Sequence, residues 1–193
     1  MKDRSKRHLY HGGHKGAEAA FGMAAEEWNL PETTISFEGH KMVRANNVEV
    51  LGDDRLAEGR VSMEFVFQVL GRRFAKGKGI RRVIKSMFQL VVRTDELFAI
   101  GWIQDDATVK GGTGWGVELA KLFNRRVHVF DQTKESWFTW NGTWQASTPK
   151  LPFGSFSATG TRHLTPAGQQ AIHDLFERTL GKVGTPESAD AKH

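Results

Sequence analysis

Three times in this chain a β-type run ends in a glycine-rich turn and passes into a helical pattern. The turns are "HGGHKGAE" (residues 11–18), "KGGTGWGVE" (110–118) and "ATGTRHLTP" (158–166). Glycine at a strand-to-helix junction lets the backbone bend where side chains would clash, and lets it approach another group closely. Three such junctions need an architecture that alternates strands and helices. The rest of the pattern agrees. "RHLYHGG", "TTISFEG", "ELFAIGWI", "RVHVFD" and "FSATGTR" read as strands. "HKGAEAAFGMAAEEWNL" reads as a helix stopped by Pro31, and "TPAGQQAIHDLFERTL" as a helix with Thr165 as N-cap and Pro166 at its first position. "SMEFVFQVLGRRF" carries Met63, Val66, Phe67 and Leu70 at helical spacing, and "IRRVIKSMFQLVVRT" resumes a helix after "KGKG". "ESWFTWNGTWQ" predicts a β-hairpin turning at Asn141-Gly142. Residues 40–60 read as loop with a short helix. The predicted fold class is α/β, a mainly parallel sheet covered on both faces, plus a small hairpin.

The chain has 193 residues and predicts one domain over 1–181 with a small-residue, polar tail over 182–193. It contains no cysteine, which excludes disulfides and thiolate chemistry. No apolar run reaches the ~18 residues of a membrane span, and "MKDRSKRHLY" has no apolar segment behind it, so neither a membrane partner nor a signal peptide is expected. A cytoplasmic protein is the expectation. The net charge of +5 favours an anionic partner.

In an open α/β sheet, ligands sit outside the carboxyl ends of the strands, where strand order reverses. Free amides and helix N-termini there hold phosphate. The candidate ligand-binding residues are therefore Gly12, Gly13 and Gly16 of the first turn, Gly111, Gly112, Thr113, Gly114 and Trp115 of the second, and Gly160, Thr161 and Arg162 of the third. No turn closes with Gly-Lys-Ser/Thr, and none has the dinucleotide glycine spacing. Asp131 ends a strand, where it serves either as a ligand-facing acid or as a structural cap. His11 and His14 have H-x-x-H spacing, but no third ligand is spaced with them, so no metal is expected, and no cofactor. Trp137, Trp140 and Trp144 cluster in the hairpin, where packing is favoured over base stacking. Arg72, Arg73, Lys76, Lys78, Arg81, Arg82 and Lys85 make residues 71–85 a candidate nucleic-acid contact.

"GGTGWGVE" resembles the PGGxGTxxE motif of the Lonely Guy phosphoribohydrolases and the wider SLOG superfamily, with Gly111, Gly112, Gly114 and Glu118 on the fixed positions. Lys110 stands for the proline and Trp115 for the threonine. "HGGHKGAEAAF" is similar to the other SLOG turn, GGxxGA(D/E), through Gly12, Gly13, Gly16, Ala17 and Glu18. The likeness spans most of residues 8–179 and extends to phage and bacterial members with "VFDQ" and a late "GTR". It implies a Rossmann-like three-layer sandwich. Because the Gly-Thr-Arg strand comes last here, it also implies a circularly permuted order, with 155–161 lying beside "HLYHGG". As function it implies binding of a nucleotide or ribose phosphate, with N-glycosidic hydrolysis in which Glu118 is the catalytic carboxylate. The family's arginine falls on Ser86, leaving Lys85 or Arg82 as its substitute. A non-catalytic sensor or carrier, and a DprA-like binder of single-stranded nucleic acid, are the alternatives. Relatives often self-associate.

Overall fold

The computed structural model describes residues 4–71 and 77–183. Arg72, Arg73 and Lys76 of the basic segment, and residues 184–193 of the expected tail, lie outside the described residues.

The first strand, β1 (Arg7–His11), leads through the first glycine turn into helix α1 (Ala17–Glu27), which returns to β2 (Glu32–Phe37). Next come β3 (Val48–Leu51) and helices α2 (Asp53–Ala57), α3 (Arg60–Val69) and α4 (Lys78–Val92). After β4 (Glu96–Gly101) a short excursion reaches the second turn and α5 (Thr113–Leu122). Strand β5 (Arg126–Asp131) is followed by the hairpin β6 (Ser136–Trp140) and β7 (Trp144–Ala146), then β8 (Gly154–Gly160) and α6 (Pro166–Leu180).

The strands form one sheet in the order β3-β2-β1-β8-β4-β5-β6-β7. The pairs from β3 to β5 are parallel, and the hairpin adds the two antiparallel ones. Helices α1 and α6 cover one face, and α3, α4 and α5 the other. Strand β4 shows why both faces need cover. Leu97 and Ala99 point into the α4/α5 core, while Phe98 and Ile100 point into the α1/α6 core. The fold is Rossmann-like α/β, as the alternating pattern predicts.

Strand β8 lies between β1 and β4, with Leu9 opposite Phe156 and Phe98 opposite Ala158. The late Gly-Thr-Arg strand thus stands beside β1, as expected from the order of pieces. One element departs from the sequence reading. β3 occupies a stretch read as loop, and its first three residues alternate exposed and half-buried before the buried Leu51. A short edge strand with one solvated face carries little apolar signal.

The segment after β2 folds back over the first turn. Val43 and Arg44 donate their amides to Gly13 O at 2.9 and 3.1 Å. Glu32 anchors this segment by accepting bonds from Arg44, Asn46 Nδ2 (2.8 Å) and His11 Nε2 (2.8 Å). Burial would raise the Glu32 carboxyl, but the bonds from His11, Arg44 and Asn46 outweigh it and bring the group down to about 2. A carboxyl depressed in the fold stabilises above its unfolded value of 4.5 and loses that contribution as pH falls toward about 2. Wild-type stability should therefore fall as pH drops from 4.5 toward about 2. In Glu32→Gln this dependence should vanish, leaving a flatter stability profile between pH 4.5 and 2 by urea titration.

Candidate functional site

The carboxyl ends of β1, β8 and β4 lie side by side at the point where the chain's path through the sheet reverses. A cleft of about 480 Å³ opens there, in the size range of small-molecule sites. The second and third turns line it through Gly111, Gly112, Thr113, Gly160, Thr161 and Arg162. The first turn contributes His14 and, one helical step on, Glu18.

The turns are joined backbone to backbone. Ala17 N donates to Thr161 O at 3.0 Å, and Thr161 N donates to Ile100 O at 2.9 Å. Gly16 has φ +95°, and a Cβ there would stand 2.3 Å from Thr161 O. Glycine is required because the first and third turns touch. Gly160 is similarly closed in, with Ala17 Cβ 2.5 Å from the place a side chain would take. The second turn is different. Gly111 has φ +72°, and a Cβ at Gly111 or Gly112 meets nothing within 4 Å, so these glycines face open cleft. Gly114 N and Trp115 N at the start of α5 donate to Gly111 O and Gly112 O at 3.3 and 3.1 Å, so the Gly112 and Thr113 amides carry the partial positive charge of that rim. Gln132 fixes the third turn from behind. Its amide donates to His163 O at 3.1 Å, and its carbonyl accepts from Thr165 N at 2.7 Å.

Two cationic side chains, Lys110 and Arg162, line the cleft. Neither forms an ion pair with the described residues. Facing them is an apolar wall built by α4 (Ile80, Val83, Ile84, Met87) with Trp102 and Trp115. Trp115 is buried and stacks at 6.4 Å on Phe67, so it is a fixed part of that wall.

The carboxylate at the cleft is Glu18, only 3% exposed. Its Oε2 accepts from His14 N (3.1 Å) and His14 Nδ1 (2.8 Å), and its Oε1 from Thr159 Oγ1 (3.0 Å). Burial would raise its pKa, but the His14 bonds overcome this and hold the group ionised below the usual carboxylate range. For His14, burial acts downward and Arg162 opposes its charge, yet the Glu18 bond and charge prevail and raise it. His14 Nε2 lies 2.9 Å from His40 Nε2, and His40 Nδ1 lies 3.3 Å from Ser36 Oγ. Burial and the neighbouring His14 push His40 down to about 4.

Several sequence-selected residues sit elsewhere. Glu118 does not line the cleft. Its carboxylate turns to the far side of α5 and pairs with Lys121 at 2.8 Å, under Trp140, whose ring centroid is 3.7 Å from Lys121 Nζ. Arg82 pairs with Asp53 at 2.6 Å and donates to Glu38 O. With Lys78, Arg81 and Lys85 it lines a separate hollow at the start of α4. Ser86 is spent on its own helix, donating to Val83 O. Asp131 caps backbone amides of Ile103, Thr133 and Lys134, which is the structural reading of a strand-end acid. Gly114 is buried within α5, and Gly12, Gly13 and Gly16 shape the first turn without lining the cleft. His11 is no partner for His14. Its Nδ1 accepts from Gly13 N, so its ring hydrogen is on Nε2 and goes to Glu32. Trp137 packs against Phe98 and Phe130 in the core. The sequence reading passed over the cleft roles of His14, Lys110 and the apolar face of α4. The α4 face was legible as a helical stripe, but nothing in one sequence shows which cavity a stripe borders.

Among the described residues, no helix is long and apolar enough to cross a membrane. No protein-family model and no curated protein matches the chain. A solved structure named "Putative molybdenum carrier protein", from Syntrophus aciditrophicus, is similar with a TM-score of 0.55, covering 92% of this chain and 96% of that chain at 14% identity. The two proteins share their fold.

Proposed function

We propose that the cleft binds a nucleotide-like small molecule, with its phosphate at the second and third turns and its base against the α4 wall. The observation that carries this reading is the pairing of unlike walls in one cleft. Lys110, Arg162 and the α5 amides suit a phosphate. Ile80, Val83, Met87 and Trp102 suit a flat, largely apolar ring. Glu18, ionised between them, is placed to accept a ribose hydroxyl. It also suits stabilisation of the oxocarbenium-like transition state of N-glycosidic cleavage, so Glu18 replaces Glu118 as the candidate carboxylate. The neighbour's name brings an oxyanion of molybdenum to mind as ligand. The cationic rim suits any tetrahedral oxyanion, but the apolar wall has no part in holding a bare one.

Titration calorimetry with nucleoside 5′-monophosphates, ribose 5-phosphate and molybdate separates these readings. Nucleotides should bind more tightly than ribose phosphate, and molybdate weakest of all. Equal affinity for the three would refute a role for the α4 wall. Arg162→Ala removes a charge-assisted contact worth about 1.5–3 kcal/mol, so nucleotide affinity should fall roughly 10–100-fold. Free base released over time from the bound nucleotide identifies a hydrolase. Tight binding without release identifies a carrier or sensor.

A further inference from the structure

The polar chain Thr159–Glu18–His14–His40–Ser36 contains a contact unlike the others. His14 Nδ1 meets Glu18 Oε2 at 2.8 Å, and a carboxylate only accepts, so the ring's Nδ1 carries the hydrogen. In the neutral ring the hydrogen then sits on Nδ1, and Nε2 presents a lone pair toward His40 Nε2, 2.9 Å away. The ring centroids are 4.6 Å apart and the planes tilted by 59°, so the two rings lean together. The far nitrogen of each ring is held by an oxygen, Glu18 Oε2 for His14 and Ser36 Oγ for His40. That is the outer support which metal-ligating histidines ordinarily have, and the carboxylate–histidine half of it is the strongest form. The backbone is also cleared at this place. A Cβ on Gly12 would stand 2.8 Å from Glu18 Oε2 and 3.2 Å from His14 Nδ1.

We propose that His14 and His40 together ligate a divalent transition-metal cation of the Zn²⁺ type at the rim of the cleft. With Zn–N bonds of about 2.0–2.1 Å, a tetrahedral ion spaces two ligand nitrogens by about 3.3 Å, so the pair opens by a few tenths of an ångström to admit it. Two protein ligands leave the other positions to water and to an oxygen of whatever the cleft holds. Imidazole suits such ions and does not select Mg²⁺ or Ca²⁺. The Glu18 carboxylate behind His14 offsets part of the ion's charge, and a bound phosphate offsets the rest, which Arg162 alone would oppose. The pairing differs from H-x-x-H spacing, because His11 is committed to Glu32 and Gly13. The ion's contact with a phosphate rests on the nucleotide reading above, whereas the ion site itself does not.

The test is calorimetric titration of metal-stripped protein with ZnCl₂ and no nucleotide. A His173→Gln background silences the half-buried His173–Asp174–Glu177 cluster on α6. The expected result is one equivalent bound, weakened at least tenfold by His40→Gln and by His14→Gln, and less by Ser36→Ala. Co²⁺ in place of Zn²⁺ should shift the ring-proton resonances of His14 and His40 in the otherwise unaltered protein, a readout that needs no ligand variant to fold. No Zn²⁺ binding overturns the site, as do unchanged affinity in a folded His40→Gln protein and cobalt shifts at other residues only; the pair then shares a hydrogen alone. A nucleotide titration in EDTA keeps the two readings apart. Zn²⁺ binding without nucleotide binding leaves the ion site standing and removes the nucleotide reading, and the reverse outcome does the opposite.

Discussion

Glu18→Ala lowers the unfolding free energy by about 3–5 kcal/mol, the usual cost of removing one member of a buried charged pair, while Glu118→Ala costs about 1–2 kcal/mol. The contrast follows from what each carboxylate holds. Removing Glu18 strips acceptors from His14 N, His14 Nδ1 and Thr159 Oγ1, all packed between the first turn and β8. Lys121 without Glu118 still has Ala107 O at 3.3 Å and the faces of Trp140 and Trp144. Chemical denaturation reads both values. Binding divides them further: Glu18→Gln, which keeps the shape, should weaken nucleotide binding, and Glu118→Gln should leave it unchanged. Loss of binding in Glu118→Gln with Glu18→Gln unaffected would return the carboxylate role to the second turn.

The second large effect is expected at Gly16. Gly16→Ala puts a Cβ 2.3 Å from Thr161 O and 2.7 Å from Arg162 Cα, at a φ of +95°. Backbone strain of about 1–3 kcal/mol adds to a comparable overpacking cost, so a loss of roughly 2–5 kcal/mol is expected. The third turn must move away, taking Arg162 with it, so the variant should also lose ligand affinity. Gly112→Ala is the matched control, because its Cβ meets nothing within 4 Å. It should melt within a few degrees of wild type. Equal destabilisation of the two variants would mean that the contact between the first and third turns does not hold the cleft together.

What the sequence made legible was local and periodic. Strand β4 is buried on both faces and reads as a continuous apolar run, while β5 is buried from Val127 to Asp131 around His128. Thr165 is the N-cap of α6, accepting from Gly168 N at 3.1 Å, and Pro166 follows it. The hairpin turns at Asn141-Gly142, with Gly142 at φ +75°. The glycine turns were visible as turns, and the cleft forms where two of them meet the start of α1. The roles of the two glutamates were not legible. Each follows its glycine cluster on the first turn or two of a helix, and only the direction of the helix face separates them. Glu18 faces β8 and His14, and Glu118 faces Lys121 and the hairpin. His40 escaped notice because its partner is 26 residues away in sequence, brought close by a loop that Glu32 and Arg44 tie down.

The place of β8 has a consequence for how the chain is made. Until residues 154–160 leave the ribosome, the sheet exists as two unjoined pieces. One holds β1 to β3 and the other β4 to β7, and each presents an inner edge of unpaired backbone groups. The last strand is the keystone, and it must enter between them with parallel register on both sides. Such late, non-local pairing is slow and leaves sticky edges in the meantime. A chain stopped short of Gly154 is a half-open sheet with two templates for aggregation, so the sheet closes only once residues 154–160 are in place.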